Sequence, residues 1–166
     1  MMKKQFLLFA VLALLTFQKV PAQTKEINRE GVHIEYPQEW GEMNIPGHVI
    51  LVKEPASEEW GVQATFDVEI HDKVHDLDRF VENYKKEIKG FAKNCRLLSE
   101  RKIKFKGYEA VELICTGVVA GIPIKWKTIM LVKDGKLYKF TSTNALIRYD
   151  KTEPVTEKIF QSVKWE

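Results

Sequence analysis

The chain has 166 residues, of which 45% are hydrophobic, 11% aromatic and 30% charged, with 9 Gly and 6 Pro. Those values describe a folded globular chain and exclude disordered, collagen-like and linker-like classes. The formal charge of +3 belongs to the first 22 residues: leaving out Lys3, Lys4 and Lys19 leaves 23 basic residues against 23 acidic ones. A neutral domain argues against nucleic acid as a partner.

The chain opens like an export signal. Lys3 and Lys4 precede an unbroken apolar run from Phe6 to Leu15, and Val20-Pro21-Ala22 places small residues before Gln23. The run is shorter than the roughly 20 apolar residues a permanent span requires. No cysteine follows to take a lipid. Residues 1–22 are therefore expected to be removed near Ala22. Residues 23–166 are expected to form one exported domain, periplasmic or extracellular, touching membranes at most peripherally.

Val32 to Tyr36 alternates apolar and polar residues up to Pro37, which reads as a strand with one wet face. Val49–Val52 is a short apolar strand. Residues 55–61 form a polar loop carrying Trp60, and Val62–Ile70 alternates again. The period then changes: Leu77, Phe80, Val81, Tyr84, Ile88 and Phe91 follow helical spacing, with Asp76 as N-cap. The helix is expected over Leu77–Ala92.

Four strands with short turns follow: Leu97–Phe105, Tyr108–Val119, Ile122–Lys133 and Lys136–Thr143. Lys106-Gly107, Ala120-Gly121 and Asp134-Gly135 are their turns. The last turn predicts Leu131 opposite Tyr138 and Ile129 opposite Phe140. Pro154 fits a first helical turn ahead of Val155, Ile159 and Phe160. Val163 and Trp165 alternate into a possible edge strand. The order predicts an α+β domain: an antiparallel sheet of about seven strands, ending in a four-strand meander and flanked by two helices.

Cys95 and Cys115 flank the first turn of the meander. Its register sets Cys115 opposite Leu98, which predicts free thiols unless the chain folds back at Cys95.

Several of these features together resemble PsbP-like and DcrB-like domains. They are the strand Val32–Pro37 followed by Trp40, the helix around Phe80-Val81, the turn Lys106-Gly107-Tyr108-Glu109-Ala110 and the ending Ile159–Trp165. The resemblance runs from about Gly31 to Trp165 and implies an α/β/α sandwich. That family is mostly non-enzymatic and includes a photosystem accessory subunit, a nuclear-import factor and chaperones for secreted toxins. The resemblance implies a protein partner and supplies no catalytic residues.

Chemical motifs are sparse. No serine sits in a nucleophile elbow, and there is no phosphate-cradling loop or dinucleotide fingerprint. No cofactor is expected. His71 and His75 are the best metal candidates, with Asp78 or Glu69 as a third ligand, but they link a strand to a helix and read equally well as a solvated loop. Charge is more informative. Glu54–Asp78 holds eight acids and one base, whereas Arg79–Lys106 holds ten bases and three acids. By period two, Lys102, Lys104 and Lys106 share one face of their strand. They form either a docking face for an acidic protein partner in the envelope or among secreted proteins, or a solvated face that blunts edge pairing. Trp60 is the tryptophan most expected to be exposed, as a recognition anchor. The expected function is an exported, non-enzymatic binding or accessory protein. The alternatives are a small-ligand or metal-binding carrier and an enzyme with a scattered site.

Overall fold

The computed structural model describes residues 23–56 and 62–166. Among these residues, ten strands are arranged in two antiparallel sheets. β1 (Thr24–Arg29), β2 (Val32–Pro37) and β10 (Lys164–Trp165) form a small sheet in the order β1-β2-β10. A seven-stranded sheet comprises β3 (Gly41–Glu42), β4 (Ile50–Lys53), β5 (Thr65–Asp72), β6 (Lys93–Phe105), β7 (Tyr108–Val119), β8 (Ile122–Lys133) and β9 (Lys136–Ala145). Its order is β3-β4-β5-β9-β8-β7-β6. The helices are α1 (Leu77–Phe91) and α2 (Tyr149–Ser162). No helix among the described residues is long and apolar enough to cross a membrane.

Strand alternation assigns each residue to a layer. Phe66, Val68, Ile129, Leu131, Tyr138 and Phe140 enter one core, with Ile159 and Phe160 of α2 and with Val32, Ile34 and Tyr36 of the small sheet. Their neighbours on the opposite face, Val111, Leu113, Cys115, Trp126 and Met130, meet Val81 and Ile88 of α1. The large sheet is thus covered by α1 on one side, and by α2 with the small sheet on the other. α2 is tied to β2 by Ser162, whose hydroxyl accepts from the Glu35 N–H at 2.8 Å and lies 3.1 Å from the Glu35 carbonyl.

The meander follows the sequence closely, with Leu131 opposite Tyr138 and Ile129 opposite Phe140. The Asp76 carboxylate caps α1 by accepting from the Arg79 N–H at 2.9 Å.

Several expectations need correction. The count of seven strands holds for the large sheet but not its membership: β2 leaves for the small sheet, and the two-residue β3 takes the seventh place. β1 has alternation too weak to read, because Ile27 is its one buried residue. It forms through a turn at Glu30-Gly31, both at positive φ. Pro154 lies inside α2 rather than in its first turn, because the helix begins five residues earlier, at Tyr149. The proline lacks the N–H that would bond the Asp150 carbonyl, a group near the helix start on an exposed residue. Cys115 faces Leu97, not Leu98, because a bulge between Leu97 and Ser99 makes Leu98 the extra residue. Both cysteines are free, Cys95 half-buried and Cys115 buried, and burial pushes the Cys115 thiol up to about 12.

Candidate ligand-binding site

The face of β5 and β9 turned toward α1 carries chemistry that the aromatic face lacks. Asp67 pairs with Thr141 in register, Glu69 with Lys139, and Thr65 with Thr143. Lys139 Nζ lies 2.7 Å from Glu69 Oε1, a cross-strand ion pair with both side chains largely buried. His48 arrives from the segment before β4, with Nδ1 3.5 Å from Asp67 Oδ1 and 3.9 Å from Glu69 Oε1. Nδ1 is buried and makes no hydrogen bond among the described residues. Asp67 is only 8% exposed. Burial holds its carboxyl above the usual range against the opposing pull of His48, and the Asp67 carboxylate beside the imidazole raises His48 despite its own burial.

This polar group forms one end of a cavity of about 630 Å³ between α1 and the sheet. Most of the remaining wall is apolar: Val62, Ile88, Phe91, Ile122, Ile124 and Trp126. The volume is in the range of small-molecule pockets, roughly 300–1,000 Å³, and an apolar wall with a few convergent polar groups is their usual composition. Tyr84, which lines the cavity, ties α1 to the sheet. Its hydroxyl lies 3.0 Å from Thr128 Oγ1, which is 3.4 Å from Thr141 Oγ1. Burial pushes the Tyr84 phenol up to about 12.

His48, Asp67 and Glu69 each offer one ligand atom, and the three lie within 4.8 Å of one another. That spacing suits a cation, but the Lys139 ammonium already sits against Glu69. A divalent ion there would carry twice the charge of a single ammonium against that fixed positive charge and would compete for the same Glu69 oxygen, so the donor set fits a group of lower charge better than a metal. His71 and His75 part company: His71 Nε2 lies 3.3 Å from Glu69 Oε2, while His75 is exposed beside Gly135. Neither joins a three-ligand group among the described residues.

Lys102 and Lys104 lie on β6, an edge strand of the large sheet, with side chains 76% and 77% exposed. Their ion pairs, to Asp78 at 3.2 Å and Glu109 at 3.7 Å, are superficial. Lys106 does not continue this row. It occupies the turn after β6 at φ 51°, and its ammonium donates to the Gln161 carbonyl at the end of α2. Trp60 and residues 1–22 lie outside the described residues. Asp67, Lys139 and Thr141 are not expected as site residues because the polar positions of an alternating strand look like a solvated face, and His48 is not because it lies in the connection before β4. The available signal was that β5 and β9 carry complementary charges on the same parity.

No protein-family model matches the chain, and no curated protein sequence does. Solved structures do. Cyanobacterial PsbP (CyanoP) of Synechocystis superposes with a TM-score of 0.65 at 15% identity, over 87% of this chain and 94% of that one. LpqN of Mycobacterium tuberculosis, described as involved in cell envelope biogenesis, gives 0.62 at 11% identity, over 86% and 90%. PA94 of Pseudomonas aeruginosa, a protein of unknown function, gives 0.61 at 16%, over 87% and 98%. At such identities the likeness is one of fold, and the chain adopts the PsbP-like fold.

Proposed function

We propose that the chain is an exported accessory protein that binds a small, largely apolar molecule between α1 and the seven-stranded sheet and does no chemistry on it. The observation that carries this reading is the cavity itself: about 630 Å³, mostly apolar, and ending in the Asp67–His48–Glu69–Lys139 group. No serine or cysteine lines it among the described residues, so the common nucleophiles do not stand beside the imidazole. Export is supported by the basic and apolar leader ending at Val20-Pro21-Ala22. An envelope setting is also supported by the description of LpqN.

Docking on an envelope or secreted protein is the second reading, favoured by the exposure of Lys102 and Lys104 on an edge strand. Trp60 belongs to this reading as the aromatic contact. Thermal-shift screening of apolar ligands tests the first reading, because a molecule that binds only the folded state raises its melting temperature. Ile122→Trp, which puts bulk into the apolar wall, should abolish the shift, whereas Lys102→Glu with Lys104→Glu should leave it intact. A shift that survives Ile122→Trp unchanged, or no shift with any apolar ligand, removes the cavity from the function. An intact mass beginning near Gln23 checks export.

A further inference from the structure

The other titratable clusters of the molecule are closed by their own partners or lie open to water. Glu112 is buried but held by Arg101 and by Lys127, whose Nζ lies 3.2 Å away. Glu54 is gripped by both terminal nitrogens of Arg148, at 2.9 and 2.6 Å. Glu26, His33 and Glu35 form a group on the small sheet, with Lys164 3.1 Å from Glu35. The polar end of the cavity differs. His48 Nδ1 is buried without a hydrogen bond. The one ion pair of Asp67 among the described residues is with His48, at 3.5 Å, a loose contact for a carboxylate so deeply buried.

The charges lining the cavity are unequal. Asp67, Glu69 and Glu87 are acidic; Lys139 is basic, and His48 is basic only when protonated. Lys139 is engaged with Glu69 and lies 5.2 Å from the Tyr84 ring centroid. When Asp67 is ionised and His48 neutral, the state a cationic guest would select against the protons both groups otherwise hold, one negative charge of this group lacks a fixed counter-charge, and Glu87 adds a second. In the neutral imidazole with Nδ1 unprotonated, His48, Asp67 and Glu69 present three acceptor atoms within 4.8 Å of one another. A primary ammonium has three N–H donors on one atom and a single positive charge. It matches the three acceptors in number and, with Glu87 left out, the deficit of one in charge. A carboxylate head would face Asp67 and Glu69, and a hydroxyl has only one hydrogen to donate.

We propose that the cavity binds an apolar molecule bearing a primary ammonium head, seated on His48 Nδ1, Asp67 and Glu69, with its apolar body along Ile122, Ile124 and Trp126. This identification rests on the cavity being a ligand site. Three probes of one chain length separate the two claims: dodecylamine, dodecanol and dodecanoate, titrated calorimetrically into the mature chain below their micelle concentrations. Dodecylamine is expected to bind about tenfold more tightly than the other two, as charge-assisted hydrogen bonds in a buried setting allow. Asp67→Asn should bring the amine to the level of the alcohol and leave the alcohol unchanged, and Glu69→Gln should do so in part. Should Asp67→Asn not fold, Glu69→Gln alone decides the matter. Equal binding of alcohol or carboxylate to the natural chain overturns the ammonium assignment and leaves the cavity a ligand site. An amine preference that survives both substitutions, or displacement of the amine by micromolar zinc, also overturns it. Binding of none of the three probes overturns the ligand-site reading itself.

Discussion

The two faces of the seven-stranded sheet are made by the same strands and finish differently. Toward α2, aromatic rings close on one another: Phe66 and Phe160 lie 4.9 Å apart between centroids, Phe105 and Phe140 5.4 Å, and Tyr138 and Trp165 4.9 Å. Toward α1 the cover is partial. Val81 and Ile88 are the buried residues of that helix, Phe91 at its end is 69% exposed, and the sheet beneath carries Asp67, Glu69 and Lys139. One face is a stabilising core and the other spends its apolar area on a cavity. Alternation thus decides which residues share a layer, while the element laid on top decides whether that layer is filled.

The largest effect is expected from emptying the filled face. Phe140 is fully buried against Phe105 and Trp165, and Phe140→Ala should cost about 3–5 kcal/mol in urea unfolding. A loss below about 1 kcal/mol would mean that the aromatic face is not the stabilising one.

The next effect probes how tightly α1 is seated. A Cβ on Gly117 would lie 2.7 Å from Ala92 Cβ and 3.4 Å from Trp126. Gly117→Ala should therefore push the end of α1 away and cost about 1–3 kcal/mol, and amide exchange should rise in the last turn of α1 before it rises in α2.

The third test uses pH. Asp67, with His48, Glu69, Lys139 and Thr141 around it, holds its proton more tightly folded than unfolded, and so does His48. Stability from each group is complete below its unfolded value, about 3.9 for Asp and 6.5 for His, and is lost as pH rises through the folded value. The melting temperature should begin to fall as pH rises above about 4 and fall again above about 6.5, and Asp67→Asn should flatten the first decline. A profile identical in the variant would show that the buried pair does not titrate as described.

The smallest effect belongs to the surface. Lys102→Glu with Lys104→Glu removes two exposed ion pairs and should change stability by no more than ~0.5 kcal/mol.

How far the sequence carried the reading follows from the same contrast. The meander was legible because Asp134-Gly135 fixes its register and its apolar residues repeat over whole strands. α1 was legible from its period and from Asp76. β3 was not, because two residues carry no periodicity; β2 and the edge strand at the chain's end were read from their alternation, but not their pairing, because β10 meets β2 only where residues far apart in sequence come together. The candidate site was hidden for a different reason. His48 lies 19 residues from Asp67 and 91 from Lys139, and strand pairing alone brings them together. Polar alternation predicts water on that face, whereas α1 roofs part of it over.

The pairing of β10 with β2 has a consequence for the order in which the molecule can assemble. Trp165 lies opposite Val32, the Glu166 N–H donates to the Gly31 carbonyl at 3.1 Å, and Ser162 bonds Glu35 across 127 residues of chain. Contacts so distant in sequence make a slow-folding topology. The aromatic face cannot be completed while residues beyond α2 are still held back in the ribosome. A chain clipped after Ser162 would carry almost every strand and both helices, yet lack the clasp that joins its beginning to its end.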